Sequence, residues 1–219
     1  MPRFSLVGAY TFTTTTCTNQ MNSFFNSIIK HIADVIDGEL THQDSIGNKE
    51  TLGPGGVQYM SAGTGVVHSE MNDGDVTCRF LQIWLTPDAR GHNPQYGSLM
   101  THPEQRKNVL LAILQGTLPP PAWAVAMPGP PTRLHQDATI MVSEADPMNS
   151  QTIELDTNRQ AYIVCINGLL QIKAENEAAH LETREAAEIV CRKTGSALPV
   201  TLESGPDGAH FLLIEMKRA

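Results

Sequence analysis

Gly56-Val57-Gln58-Tyr59-Met60-Ser61-Ala62-Gly63-Thr64-Gly65-Val66-Val67-His68-Ser69-Glu70-Met71 decides the reading of this chain. Two short apolar runs flank a Gly-Thr-Gly turn, which is the text of two β-strands. The stretch closes on a histidine and a glutamate one residue apart. Residues i and i+2 of a strand share a face, so His68 and Glu70 aim an imidazole and a carboxylate at one point. That donor pair suits a divalent transition metal: Fe, Mn, Ni, Cu or Zn. A hydrogen-bonded polar pair inside a barrel is the plainer reading of the same residues.

The text on either side is of the same kind. Val35-Ile36-Asp37-Gly38-Glu39-Leu40 sets Asp-Gly between apolar residues, a hairpin signal. Asp44-Ser45-Ile46-Gly47-Asn48 and Leu52-Gly53-Pro54-Gly55-Gly56 read as further turns, because glycine supplies positive φ and proline fixes the bend. Residues 79–85 alternate like a half-buried strand. Beyond a proline-dense stretch, strands are expected at 138–142, 160–166, 169–173, 187–191, 198–202 and 210–216. Short strands at regular spacing with few helix signals predict an all-β protein of barrels or sandwiches.

An internal repeat sharpens this. The Asp37-Gly38-Glu39-Leu40 core resembles Asn167-Gly168-Leu169-Leu170, and Leu52 and Val57 follow where the second copy has Leu181 and Ala186. The second copy has no His-x-Glu. Two similar barrels, only the first with ligands, is the economical reading. Residues 1–27 form an atypical segment with a threonine-rich patch, and no structure is assigned before about Ile28. The first barrel is expected over 28–118, a proline-rich linker over 119–133 and the second barrel over 134–219.

Fifteen Lys and Arg against 23 Asp and Glu, with no basic cluster, give a formal charge of -8 and argue against direct nucleic-acid binding. No apolar run approaches the roughly 18 residues of a membrane helix, and the N-terminus does not read as a signal peptide. A soluble, cytoplasmic protein is expected. Cys17, Cys78, Cys165 and Cys191 make no Cys-x-x-Cys pair and are expected as buried thiols. Gly53-Pro54-Gly55-Gly56 lacks the Lys-Ser/Thr of a phosphate loop, and no Gly-x-Ser-x-Gly nucleophile elbow is present.

These residues resemble the pirin family of bicupins. The likeness is carried by residues 37–50 and on through Glu70, by Leu81-Gln82-Ile83-Trp84, and by Leu134-His135-Gln136-Asp137-Ala138. In the C-terminal half it is carried by Arg159-Gln160-Ala161-Tyr162 and Leu212-Leu213-Ile214-Glu215-Met216. The resemblance implies two β-barrels, one mononuclear metal in the first, and, in several bacterial members, quercetin 2,3-dioxygenase activity. It implies a metal site of three histidines and one glutamate, the last two falling on His68 and Glu70. The first two belong to a His-Pro-His motif, and at those places this chain has Phe24-Phe25-Asn26. A truncated or rearranged N-terminus would account for that departure. Cupins in general carry a glutamate ligand about seven residues before the hairpin glycine, and His31 stands at that distance from Gly38. His31 is therefore the candidate third donor, with an ordinary core or surface histidine as the plainer reading. His42 and His135 match family positions that have no ligand role.

Two functions follow. One is a metal-dependent dioxygenase acting on quercetin-type flavonols, impaired by the missing His-Pro-His. Its metal would sit on His68, Glu70 and His31, and Glu70 would take the substrate's hydroxyl proton. The other is a non-catalytic bicupin, a binding or regulatory module with a protein partner.

Overall fold

The computed structural model describes residues 12–17, 22–26, 30–127, 134–192 and 194–218, and up to residue 31 it describes the backbone alone. The chain divides into two units between His102 and Pro103. In the first unit β1 spans Phe12–Cys17, β2 Asn22–Asn26, β3 Lys30–Asp37, β4 Leu40–Asp44 and β5 Lys49–Leu52. Then come β6 (Gly56–Ser61), β7 (Val66–Met71), β8 (Cys78–Leu85) and β9 (Gln95–Met100). They form two sheets, ordered β1-β8-β3-β6-β9 and β2-β7-β4-β5. Ala33, Val35, Leu40, Leu52, Cys78 and Phe80 pack into an apolar core between them.

The turn at Asp37-Gly38 exists, but it closes no hairpin. β3 bonds β6 and β8 in one sheet, while β4 bonds β5 and β7 in the other. Gly38 is the corner where the chain changes sheets, at φ +70, and a Cβ there would lie 2.8 Å from both Thr77 O and Cys78 Cα. The true hairpin is the next turn. There the Asp44 carboxylate accepts the backbone N–H of Ile46 at 3.1 Å and of Asn48 at 2.9 Å, an Asx arrangement that fixes the bend between β4 and β5.

The threonine-rich segment, to which the sequence reading assigns no structure, is a strand. β1 pairs with β8 from Phe12↔Ile83 to Cys17↔Cys78. β2 pairs with β7 from Asn22↔Glu70 to Asn26↔Val66. Threonine is β-branched and fits a pleated surface, and the pairing supplies what the local pattern does not announce.

The second unit begins with α1 (Pro103–Arg106), β10 (Leu111–Gln115), β11 (Val125–Ala126), β12 (Ala138–Ala145) and β13 (Ser150–Leu155). It continues with β14 (Arg159–Ala174), β15 (Glu177–Glu182), β16 (Ala186–Val190) and β17 (Leu198–Lys217). Residues 160–166 and 169–173, expected as two strands, are one long strand, as are 198–202 and 210–216. The sequence expectation assigns 103–118 to the first barrel, whereas β10 hydrogen-bonds β12 of the second. The apolar interior of this unit includes Ile153, Leu155, Leu170, Leu181, Val200 and Phe211. Cys78, Cys165 and Cys191 are buried; the side chain of Cys17 lies outside the described residues.

Strand register makes the internal repeat physical. Leu40 stands opposite Leu52, and Leu170 opposite Leu181. Ala33 stands opposite Gln58 and Gln82, and Ile163 opposite Ala187 and Leu213. Gly168, at φ +85, repeats the sheet change of Gly38, with β15 paired to one part of β14 and β16 to the other. Among the described residues no helix is long and apolar enough to cross a membrane.

Candidate functional site

The alternation of β7 builds the site. Val66, His68 and Glu70 are buried, while Val67 is exposed. β4 lies beside β7 with His42 opposite Glu70 and Asp44 opposite His68. Strand neighbours directly opposite share a face, so the four side chains converge on one interior. The His42 and His68 rings stack with centroids 5.6 Å apart, and Tyr96 stacks on the other side of His42 at 4.6 Å.

His42, Asp44, Tyr96 and Glu70 each have a hydrogen-bond partner. His42 Nε2 lies 3.1 Å from Asp44 Oδ2, and Asn48 Nδ2 donates to the same oxygen at 2.8 Å. Tyr96 donates its hydroxyl to Glu50 at 2.9 Å. Glu70 accepts from the Gln58 amide on one oxygen and from the Gln82 amide, at 3.2 Å, on the other.

Burial dominates the electrostatics. It pulls the His68 imidazole down to about 4, with His42 adding to the effect, and pushes the Glu70 carboxyl up to about 8 against the two glutamine bonds. Burial also lowers His42, although Asp44 pulls the other way. Burial alone would raise Asp44, but the bonds from Asn48 and His42 outweigh it and hold its carboxyl below the usual range. Tyr96 is raised by burial and by Glu50. Burial therefore favours neutral imidazoles and a protonated Glu70 at neutral pH.

His68 and Glu70 are brought together as the strand pattern requires. His31 lies in β3 opposite Met60 and Trp84, and its side chain lies outside the described residues. Phe24 stands opposite His68 in the β2–β7 register, and Asn22 opposite Glu70. Among the described residues no group of three His, Cys, Asp or Glu side chains is set to hold a metal ion. His68 and Glu70 are donor types that suit a metal, and two fall short of the roughly three protein donors that a catalytic site usually keeps. His42, Asp44, Gln58, Gln82 and Tyr96 complete the cluster without having been singled out for it. Leu40, His42 and Asp44 carry the same two-residue spacing as Val66, His68 and Glu70, which is the signal that marks them.

Among its described residues the second unit has no counterpart of this cluster. By the repeat register Ile172 replaces His42, Ala187 replaces Gln58, and Leu213 replaces Gln82. Val200 and Leu202 stand where the first unit has His68 and Glu70.

Two family models match the chain: Pirin over residues 16–85 and the quercetinase C-terminal cupin domain over residues 129–216. A Zymomonas mobilis protein provisionally named quercetin 2,3-dioxygenase is 32% identical over 174 residues, 74% of this chain and 71% of that protein. A Pseudomonas aeruginosa protein named in the same provisional way is 34% identical over 141 residues, 64% of this chain and 57% of its own length. The crystal structure of the Escherichia coli bacterial pirin YhhW in complex with nickel(II) superposes with a TM-score of 0.70. It is 20% identical, and the match covers 93% of this chain and 79% of that one.

Proposed function

Because this chain belongs to the pirin family of bicupins, we propose that its first barrel is a small-molecule site of the flavonol dioxygenase type with weakened metal retention. The observation that carries this reading is the burial of His68 and Glu70 on one face of β7, with apolar residues at both equivalent places of the second unit. A divalent transition metal, held by His68, Glu70 and His31, would supply a Lewis acid for a substrate oxygen. Glu70 would take the substrate's hydroxyl proton, its two oxygens oriented by Gln58 and Gln82. The apolar base of the barrel would exclude water from the bound ring.

The test is consumption of quercetin by protein supplied in turn with Fe, Mn, Ni and Cu. Slow loss of the flavonol absorbance is expected, and His68→Ala should reduce it to background. No loss above the His68→Ala control with any of the four metals would contradict the reading. That outcome would leave a non-catalytic bicupin, the function favoured by one observation in particular: both Glu70 oxygens are already engaged by amides, and the phenylalanine opposite His68 offers no donor.

A further inference from the structure

Among the described residues of the first unit, Nδ1 of His42, Oε1 of Gln58 and Nε1 of Trp84 are buried polar atoms without a hydrogen-bond partner. His42 is 0% exposed and Gln58 1%. An unpaired buried polar atom costs about 1–3 kcal/mol, so three in one interior mark a place where something else pairs with them.

Their chemical senses are defined. The Asp44 carboxylate can only accept, so His42 Nε2, 3.1 Å away, carries the ring proton. Nδ1 of the neutral ring is then an acceptor. Gln58 turns its NH2 toward Glu70, which leaves its carbonyl oxygen as a second acceptor. The indole N–H of Trp84 can only donate.

The three also face one space. Gln58 and Gln82 stand on either side of Ala33 in the register, and both amides reach Glu70. Trp84 is two residues beyond Gln82 on β8, hence on the same face. His42 is directly opposite Glu70.

We propose that His42, Gln58 and Trp84 form the recognition set for a ligand that carries both a hydroxyl group and a carbonyl oxygen. One hydroxyl donates to His42 Nδ1 and Gln58 Oε1 together, as a shared bond, and the carbonyl accepts from Trp84 Nε1. The proposal rests on the small-molecule reading above and names which features of a flavonol-like molecule the barrel distinguishes. It needs no metal.

Titration calorimetry on chelator-treated protein tests it, with 3-hydroxyflavone and flavone as the probes. The wild type is expected to bind 3-hydroxyflavone about tenfold more tightly than flavone, the worth of one hydrogen bond. Trp84→Phe should weaken both probes by a similar factor, since both carry the carbonyl. Gln58→Met should remove the preference while leaving flavone binding near the wild-type value. Should Gln58→Met lose its cooperative thermal transition, His42→Phe keeps the ring stack and should lose the preference in the same way. A wild type that binds neither probe overturns the proposal. So does a preference that survives in folded Gln58→Met and His42→Phe, because the three atoms are then met by water. Absence of metal uptake would sink the catalytic reading and leave this contrast intact. Metal-dependent turnover with no contrast would do the reverse.

Discussion

His68 and Glu70 share a strand face but titrate in opposite senses. His68 has its folded value near 4, below the ordinary 6.5. Its contribution to the stability of the metal-free protein is full above 6.5 and is lost as pH falls toward 4. Glu70 has its folded value near 8, above the ordinary 4.5. Its contribution is full below 4.5 and is lost as pH rises through 8. The two oppose each other between 4.5 and 6.5, and from 6.5 to 8 Glu70 acts without His68. The free energy of urea unfolding of metal-free protein should therefore fall between pH 6.5 and 8, and Glu70→Gln should flatten that fall. A slope over that window that persists in Glu70→Gln would show that another group is responsible.

At the scale of elements, the turns were readable and the pairings were not. Gly38, Gly47, Gly55 and Gly168 all take the positive φ that their Asp-Gly, Gly-Asn, Pro-Gly and Asn-Gly settings announce, because that information is local. Which strand a segment bonds to is a property of distant residues. Hence Asp37-Gly38 reads as a hairpin and is a corner between sheets, and 160–166 and 169–173 read as two strands and are one. β1 and β9 were missed for the same reason: each is defined by its partner, β9 through Gly56↔Met100 to Ser61↔Gln95, more than by its own alternation. The site divides in the same way. The His68 and Glu70 spacing on β7 is explicit in the text, whereas the stack of His68, His42 and Tyr96 joins three strands and cannot be seen from any one of them. The two corner glycines carry a prediction. Gly38→Ala and Gly168→Ala combine backbone strain with a clash, since a Cβ at Gly168 would lie 2.3 Å from Gly208 O. Each should lower the stability of its unit by about 1–3 kcal/mol, read as a shift in the urea midpoint. Gly47→Ala, at φ +100 with nothing within 4 Å, should cost less than either. Equal losses at all three positions would mean that close approach at the corners contributes nothing.

At the scale of the whole molecule, one strand plan is used twice with different contents. The second unit fills its interior with apolar side chains and is a stable β scaffold on hydrophobic grounds alone. In the first, histidines, carboxyls and amides share the buried interior with apolar side chains, which is unfavourable for stability unless a ligand or metal uses them. The function proposed above therefore draws on the first unit, at His68 and Glu70. The most direct test is elemental mass spectrometry of the full chain after gel filtration in metal-supplemented buffer, beside His68→Ala. The account predicts transition metal bound to the wild type at less than one ion per chain, since retention is weakened, and its loss in the variant. No bound metal in either protein, or the same metal content in both, would contradict it.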